Sequence, residues 1–217
     1  MAKSTKSPAL ETQPTRYHHG ALKPALLAAA EKILKRDGIE GLTLRAAARE
    51  AGVSHAAPKN HFDDVRGLLS ELAAVGFRRF REAMQAEVAA QKGTLEPLDA
   101  IGIGYVTFAK ENPELFTLMF RGERLDFERP ALRDANRAAF TMFAGLAAGA
   151  APASGANAPG LTLGQAAQIA AKWSLVHGFA CLMLDGRLTP LLKATAAGAI
   201  DELALIQAII KGPPPAQ

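Results

Sequence analysis

The chain has 217 residues, 49% of them hydrophobic, and a formal net charge of +4. That length and apolar content suffice for one large or two modest packed domains and exclude a disordered polyelectrolyte. A single cysteine, Cys181, excludes an internal disulfide framework and fits a reducing compartment, and neither a span-length apolar run nor a secretory apolar core is evident, so a cytoplasmic protein with no membrane partner is expected.

Charge is unevenly spread. Residues 1–92 hold 15 Lys and Arg against 10 Asp and Glu, whereas residues 93–217 hold 10 against 11, so a polyanion would dock on the amino-terminal part. Usage rich in Ala, Leu, Glu, Lys and Arg, with no convincing run of alternation, predicts an all-α architecture.

Residues 1–16 are polar, punctuated by proline and aperiodic, which suits a flexible basic arm whose Lys3, Lys6 and Arg16 reach a backbone phosphate or simply stay solvated. A helix is expected over 21–37, with Leu22, Leu26, Ala29, Ala30, Ile33 and Leu34 on one stripe and Gly38 ending it. Thr43–Phe62 (T-L-R-A-A-A-R-E-A-G-V-S-H-A-A-P-K-N-H-F) has the grammar of a helix-turn-helix. Leu44, Ala47, Ala48 and Ala51 form a narrow face that lets another helix cross closely, Gly52 gives the turn its backbone freedom, and Ser54 is placed to cap the next helix. That second helix, with Lys59, Asn60 and His61 behind two alanines, is too short and polar to be explained by folding, and it suits a DNA groove. Pro58 within it forfeits only the first intrahelical bond if Ser54 is the cap.

The pattern Val65, Leu68, Leu69, Leu72, Val75, Gly76, Phe80, Met84, Val88 predicts one helix over 64–91, about 40 Å long. Arg78, Arg79 and Arg81 on it are expected to be solvated. Further helices are expected over 97–110, 114–121, 126–150, 161–184 and 191–211. Small Gly- and Pro-rich residues at 148–160 predict a connection. Tyr105, Phe108, Phe116, Met119, Phe120, Phe140 and Phe143 concentrate large polarizable side chains in thirty-nine residues; they suit a bundle core or the wall of an apolar cavity equally. Trp173, His177 and Cys181 share a helix face. The last helix is apolar on more than one side and needs partners on two, for one of which a second copy of the chain would serve.

No metal and no cofactor are expected. His18 and His19 diverge at a helix start, and His177 with Cys181, four residues apart, offers only two ligands among apolar neighbours. Gly-rich phosphate loops, nucleophile elbows and zincin motifs are missing, so no catalytic residue is proposed. The alternative is a helical-bundle enzyme, or a small-molecule-binding protein without DNA binding, with Tyr105, Trp173 and His177 holding the bound molecule.

Y-H-H-G-A-L-K at 17–23, A-A-E-K-I-L-K-R-D-G at 29–38, L-T-L-R-A-A-A-R-E-A-G-V-S at 42–54 and N-H-F at 60–62, in that order and spacing, resemble the TetR family of bacterial transcriptional regulators. E-N-P-E-L-F-T-L-M-F at 111–120 and W-S-L-V-H-G at 173–178 resemble the subgroup named for a Trp-His-Gly carboxy-terminal domain. The resemblance implies residues 17–66 as a helix-turn-helix DNA-binding domain, 67–211 as a helical ligand-binding and dimerisation domain, and 212–217 as an unstructured tail. It implies a homodimer, joined through the last two helices, that binds a palindromic operator on double-stranded DNA and is released as a repressor by a small apolar or amphipathic effector. By the family pattern Thr43, Ser54, Lys59 and His61 contact phosphates, and His55, Ala56, Ala57 and Asn60 face base edges, with Arg45 beside them. Lys59 stands where a tyrosine is usual and Val65 where a lysine is usual, and Arg66 is expected to stand in for that lysine. The effector would be lined by Tyr105, Phe108, Phe116, Met119, Phe120, Phe140, Phe143, Trp173 and His177.

Overall fold

The computed structural model describes residues 22–91, 93–147, 161–195 and 200–212. The expected arm at 1–16, His18 and His19, the connection at 148–160 and the tail beyond Gly212 lie outside them. Among the described residues the regular elements are helices, as the composition predicts.

The first is α1, Leu22–Asp37, which buries Leu26, Ala29, Ala30, Ile33 and Leu34, the predicted stripe. Helix α2, Leu44–Glu50, is capped by the Thr43 hydroxyl, which accepts from the Ala46 N–H at 3.0 Å. Ala47 and Ala48 are fully buried, and with no more than a methyl group each they let α2 lie close on α1. The end of α2 is closed by Gly52 N donating to Arg49 O at 3.1 Å and Val53 N to Ala48 O at 3.0 Å. This paired closure needs a left-handed residue between, and Gly52 supplies it at φ 68°.

The next helix departs from expectation. Ser54 does not cap it: residues 55–58 form a turn in which Ser54 O accepts from Ala57 N at 3.0 Å, and α3 is only Lys59–Phe62 with Pro58 at its cap position. Pro58 has no N–H to give the carbonyl four residues back, so the chain makes the tighter bond and the helix restarts from the Pro58 carbonyl. Pro58 itself is buried, which turns Lys59 and Asn60 outward.

Helix α4, Val65–Ala90, follows at once, capped by Asp64, whose carboxylate accepts from Gly67 N at 2.8 Å. A Cβ on Gly67 would stand 1.9 Å from the Phe62 carbonyl oxygen, so this glycine lets α3 abut α4. Around α4 pack α5 (Pro97–Glu111), α6 (Pro113–Met119) and α7 (Pro130–Ala147); α8 (Leu163–Leu184) and α10 (Glu202–Lys211) pack on α5, with α9 (Thr189–Lys193) between them in the chain. Two of these differ from the sequence reading. Helix α7 starts at Pro130 rather than 126, because Asp126 closes a turn on Glu128 and Arg129 and the residue before a proline is driven out of helical geometry. The single last helix is instead α9 and α10: Ile200 N returns to Leu192 O at 3.3 Å, and Asp201 caps a fresh start by accepting from Ala204 N at 2.7 Å. Helix α8, 22 residues long, is apolar enough to span a membrane by length and composition alone, contrary to expectation, but it packs Ile169, Val176, Phe179 and Ala180 inward.

One apolar core runs from Leu26 and Phe62 through Leu72, Phe80 and Tyr105 to Val176, and a smaller one gathers Val106, Phe179, Leu188, Leu192 and Ile206. Beside the larger core a buried polar knot joins α1, α3 and α4 to the loop before α7. Glu71, 6% exposed, receives Lys23 at 2.9 Å and Arg129 Nε at 3.0 Å. Arg129 also gives Nη1 to Asp63 at 3.1 Å and Nη2 to the His61 carbonyl at 3.0 Å. Ser70 Oγ accepts from Asp126 N at 2.8 Å, and Arg79, expected to be solvated, pairs with Glu31 at 2.8 Å.

Burial alone would raise the pKa of Glu71, but the hydrogen bonds from Lys23 and Arg129 outweigh it and hold the carboxyl below its ordinary 4.5. A depressed carboxyl contributes stability that is present above pH 4.5 and is lost as pH falls through the folded value. Replacing Arg129 with Ala should therefore cost about 2 kcal/mol in urea unfolding at pH 7, as for other hydrogen bonds to charged groups. It should also move the acid-unfolding midpoint to higher pH; an unchanged midpoint would contradict this role.

Candidate nucleic-acid interface and ligand cavity

The Thr43 hydroxyl, Arg45, Ser54, His55, Ala56, Lys59 and Asn60 are all exposed, Ala57 and His61 are half-buried, and only Pro58 and Phe62 turn into the core. The apolar pair fixes which side of the turn and short helix faces out. Thr43 and Ser54 spend their oxygens on backbone N–H groups, at 3.0 Å and 3.4 Å, but each hydroxyl still has a proton to donate. Among the described residues Arg45, His55, Lys59 and Asn60 make no side-chain hydrogen bond or ion pair. A surface carrying two cations and an amide with no internal partner can offer phosphate contacts and base-edge bonds at once.

Arg66 is a correction. Its Nε and Nη2 both donate to the Leu125 carbonyl, at 3.1 and 2.7 Å, so the group expected to replace a phosphate-binding lysine is tied to the body instead. The nearest chain oxygen competes for it, and sequence spacing does not show that oxygen. The His61 backbone is likewise held by Arg129.

The second site is a cavity of about 130 Å³ between α4, α5, α7 and α8. Of the residues expected there, Tyr105, Phe120, Phe140, Phe143 and Trp173 are on its wall. Phe108, Phe116, Met119 and His177 are not: they stand behind the wall, with Phe116 packed on Tyr105 and Phe120 at centroid distances of 5.8 and 4.9 Å. The sequence reading missed Phe77, Phe80, Met84, Asn136 and Ala139. Phe80 and Met84 were legible as apolar positions of the long helix, and Asn136 as the uncharged polar residue between Leu132 and Phe140. What was not legible is that α4, read as a tie between two units, also forms one side of the cavity.

A short polar chain crosses the wall. The Tyr105 hydroxyl lies 2.8 Å from His177 Nδ1 and accepts from Trp173 Nε1 at 3.4 Å, and His177 Nε2 is 3.6 Å from Cys181 Sγ. Burial pushes the Tyr105 phenol far above its usual range and the Cys181 thiol upward, with Asp185 adding to the latter, and burial pulls His177 down. At neutral pH all three are uncharged, so the chain exchanges hydrogen bonds and carries no ion. No group of three or more His, Cys, Asp or Glu suited to a metal occurs among the described residues.

Comparison with known proteins bears on the fold and the family. Residues 98–204 match the family described as the tetracyclin repressor-like C-terminal domain. The chain is similar to a structure of a protein with unknown function from Rhodococcus sp. RHA1, with 32% identity, 91% of this chain and 96% of that one covered, and a TM-score of 0.70. It shares its fold with a protein from Shewanella sp. PV-4 assigned to the TetR family of transcription regulators, at 21% identity, 87% and 95% coverage and a TM-score of 0.60. A stretch of 94 residues is 29% identical to the uncharacterized HTH-type transcriptional regulator YobS of Bacillus subtilis (strain 168); it covers 43% of this chain and only about half, 49%, of that relative.

Because the folded value of His177 lies below the ordinary 6.5, the unfolded chain takes up the proton first as pH falls, and stability drops between 6.5 and the folded value. Proton NMR of the imidazole, assigned by its loss in His177→Asn, should titrate below 6.5. A midpoint at or above 6.5 would place the ring in water rather than behind the Tyr105 wall.

Proposed function

This chain belongs to the TetR family of DNA-binding transcriptional regulators, and from that premise we infer that it is a repressor that holds a palindromic operator as a homodimer and lets go when a small molecule fills its cavity. The observation that carries the reading is the unpartnered outward group Arg45, His55, Lys59 and Asn60. Thr43, Ser54, Lys59 and His61 are the phosphate contacts, and His55, Ala56, Ala57 and Asn60 face base edges, with Arg45 adding charge at the rim. Arg66 is left out because Leu125 occupies it.

Dimerisation through α8 and α10 is supported by apolar surface that no other described residue covers. Leu175, Leu182 and Leu191 are 43%, 44% and 54% exposed, with Ile209 beside them. Exposed apolar area of this extent on a carboxy-terminal pair of helices is what a second copy would bury.

Release of DNA follows from continuity. Phe120 is on the cavity wall, and within nine residues the same segment supplies the Leu125 carbonyl to Arg66 and the Arg129 guanidinium to Asp63 and His61. A molecule that displaces Phe120 would shift the anchors of α3. By differential affinity for the two arrangements, effector and operator would then exclude each other.

Duplexes selected from a random pool should contain two half-sites about 34 to 36 Å apart, one turn of duplex. On them Lys59→Ala should weaken cognate and random DNA alike and lower the salt slope by about one, whereas Asn60→Ala should lose the preference for cognate. Equal losses for Asn60→Ala on both DNAs would remove it from the base-reading set. Leu182→Glu should keep its helical circular dichroism and a cooperative unfolding transition but sediment as a monomer; a dimer of Leu182→Glu would show that α8 is not the interface.

A further inference from the structure

The cavity wall contains no charged side chain. Phe77, Phe80, Phe120 and Phe143 give it ring faces and edges, Met84 and Ala139 complete the apolar part, and the polar atoms belong to Tyr105, Trp173 and Asn136. Tyr105 is neutral because burial suppresses its ionisation. An ion entering such a place would lose its water and meet no counter-charge. Ring faces return part of that cost to a cation, but less than the cost of stripping its water, and they return nothing to an anion. Size suits one ring: apolar spaces of about 150 Å³ take up benzene, this one is about 130 Å³, and its mouth at Phe140 and Trp173, 42% and 40% exposed, leaves a substituent room to reach water.

Two polar groups remain to be met. The Asn136 amide, half-buried on α7, makes no hydrogen bond among the described residues, so it offers both a donor and an acceptor. The Tyr105 hydroxyl can answer either kind of group. It already accepts a long bond from Trp173 Nε1 at 3.4 Å, which a closer ligand donor could displace, and when the His177 ring takes the tautomer that donates to it, its own proton is available to a ligand acceptor.

We propose that the cavity binds a neutral, single-ring aromatic molecule bearing one hydroxyl- or amide-type group, with the ring among Phe77, Phe80 and Phe143 and the polar group on the Asn136 amide. The inference rests on reading this cavity as the effector site, and it adds the chemistry that the site selects.

Trp173 is the sole tryptophan of the chain and lies on the wall, so its fluorescence in the full-length protein reports occupancy directly. The probes are p-cresol, toluene, benzoate and benzylammonium. Saturable quenching is expected with p-cresol and toluene, and affinity at least about tenfold weaker for the two ions. Asn136→Ala should weaken p-cresol by about 2- to 12-fold, the range of a single neutral hydrogen bond, and leave toluene unchanged. Ala139→Leu, which fills the space with a modest apolar addition, should abolish binding of both while the unfolding curve stays cooperative. Equal or tighter binding of either ion overturns the proposal. So does an unchanged ratio of p-cresol to toluene affinity in Asn136→Ala, or undiminished p-cresol binding by Ala139→Leu. Release of a selected duplex is measured separately. Binding of p-cresol without release would refute the effector reading and leave the cavity chemistry supported, whereas absence of binding would refute the cavity chemistry whatever happens to the DNA.

Discussion

A carboxylate held out of water by two cations ties the short helix α3 to the rest of the molecule. Glu71 on α4 is buried, and Lys23 from α1 and Arg129 from the loop before α7 both end on it. A buried charge that loses a partner is far more costly than one that never existed, so these three elements cannot drift apart singly. Arg129 then spends its remaining donors on Asp63 and on the His61 carbonyl, the residues that close α3. Asp63 has a left-handed backbone at φ 64°, a conformation that its ion pair with Arg129 helps hold in place. Burial of Pro58 and Phe62 turns Lys59 and Asn60 outward, and an arginine seventy residues further along the chain ties down the end of that short helix.

The same loop is where the two functional regions meet. Its amino-terminal end, Phe120, packs on His177 at a centroid distance of 4.6 Å and borders the cavity, while its carboxy-terminal end holds α3. The loop therefore touches the cavity wall at one end and the residues that close α3 at the other, the latter through hydrogen bonds and an ion pair of defined geometry. The aromatic cluster behind the wall has the complementary role. Phe80 lies edge-on to Tyr105 at 4.7 Å, and Phe116 is edge-on to Tyr105 as well, so the Tyr105 hydroxyl is held at one point of the wall.

Much of the fold was legible from apolar spacing. The α1 stripe, the small face of α2, the glycine turn and the long α4 each follow from side-chain period and local backbone chemistry, and these elements formed where those signals placed them. The misplaced boundaries have local causes of another kind. Pro58 and Pro130 removed N–H groups at points where the apolar pattern alone would carry a helix through, and Asp201 offered a cap that restarted a helix the pattern would have run as one.

The sequence by itself determined that Arg45, Lys59 and Asn60 would be exposed, because a short polar segment beside buried alanines leaves its polar side chains nowhere else to go. It also determined that large aromatic side chains would gather in the carboxy-terminal half. Only the tertiary structure decided which of them border empty space: Phe108, Phe116 and Met119 are as apolar as Phe77 and Phe143, yet the former fill the core and the latter line a cavity. It also decided that Arg66 serves the Leu125 carbonyl and that Asn136 has no hydrogen-bond partner among the described residues. Apolarity and charge are properties of a residue, but a void, a competing carbonyl and an unmet amide arise from where several helices come to rest together.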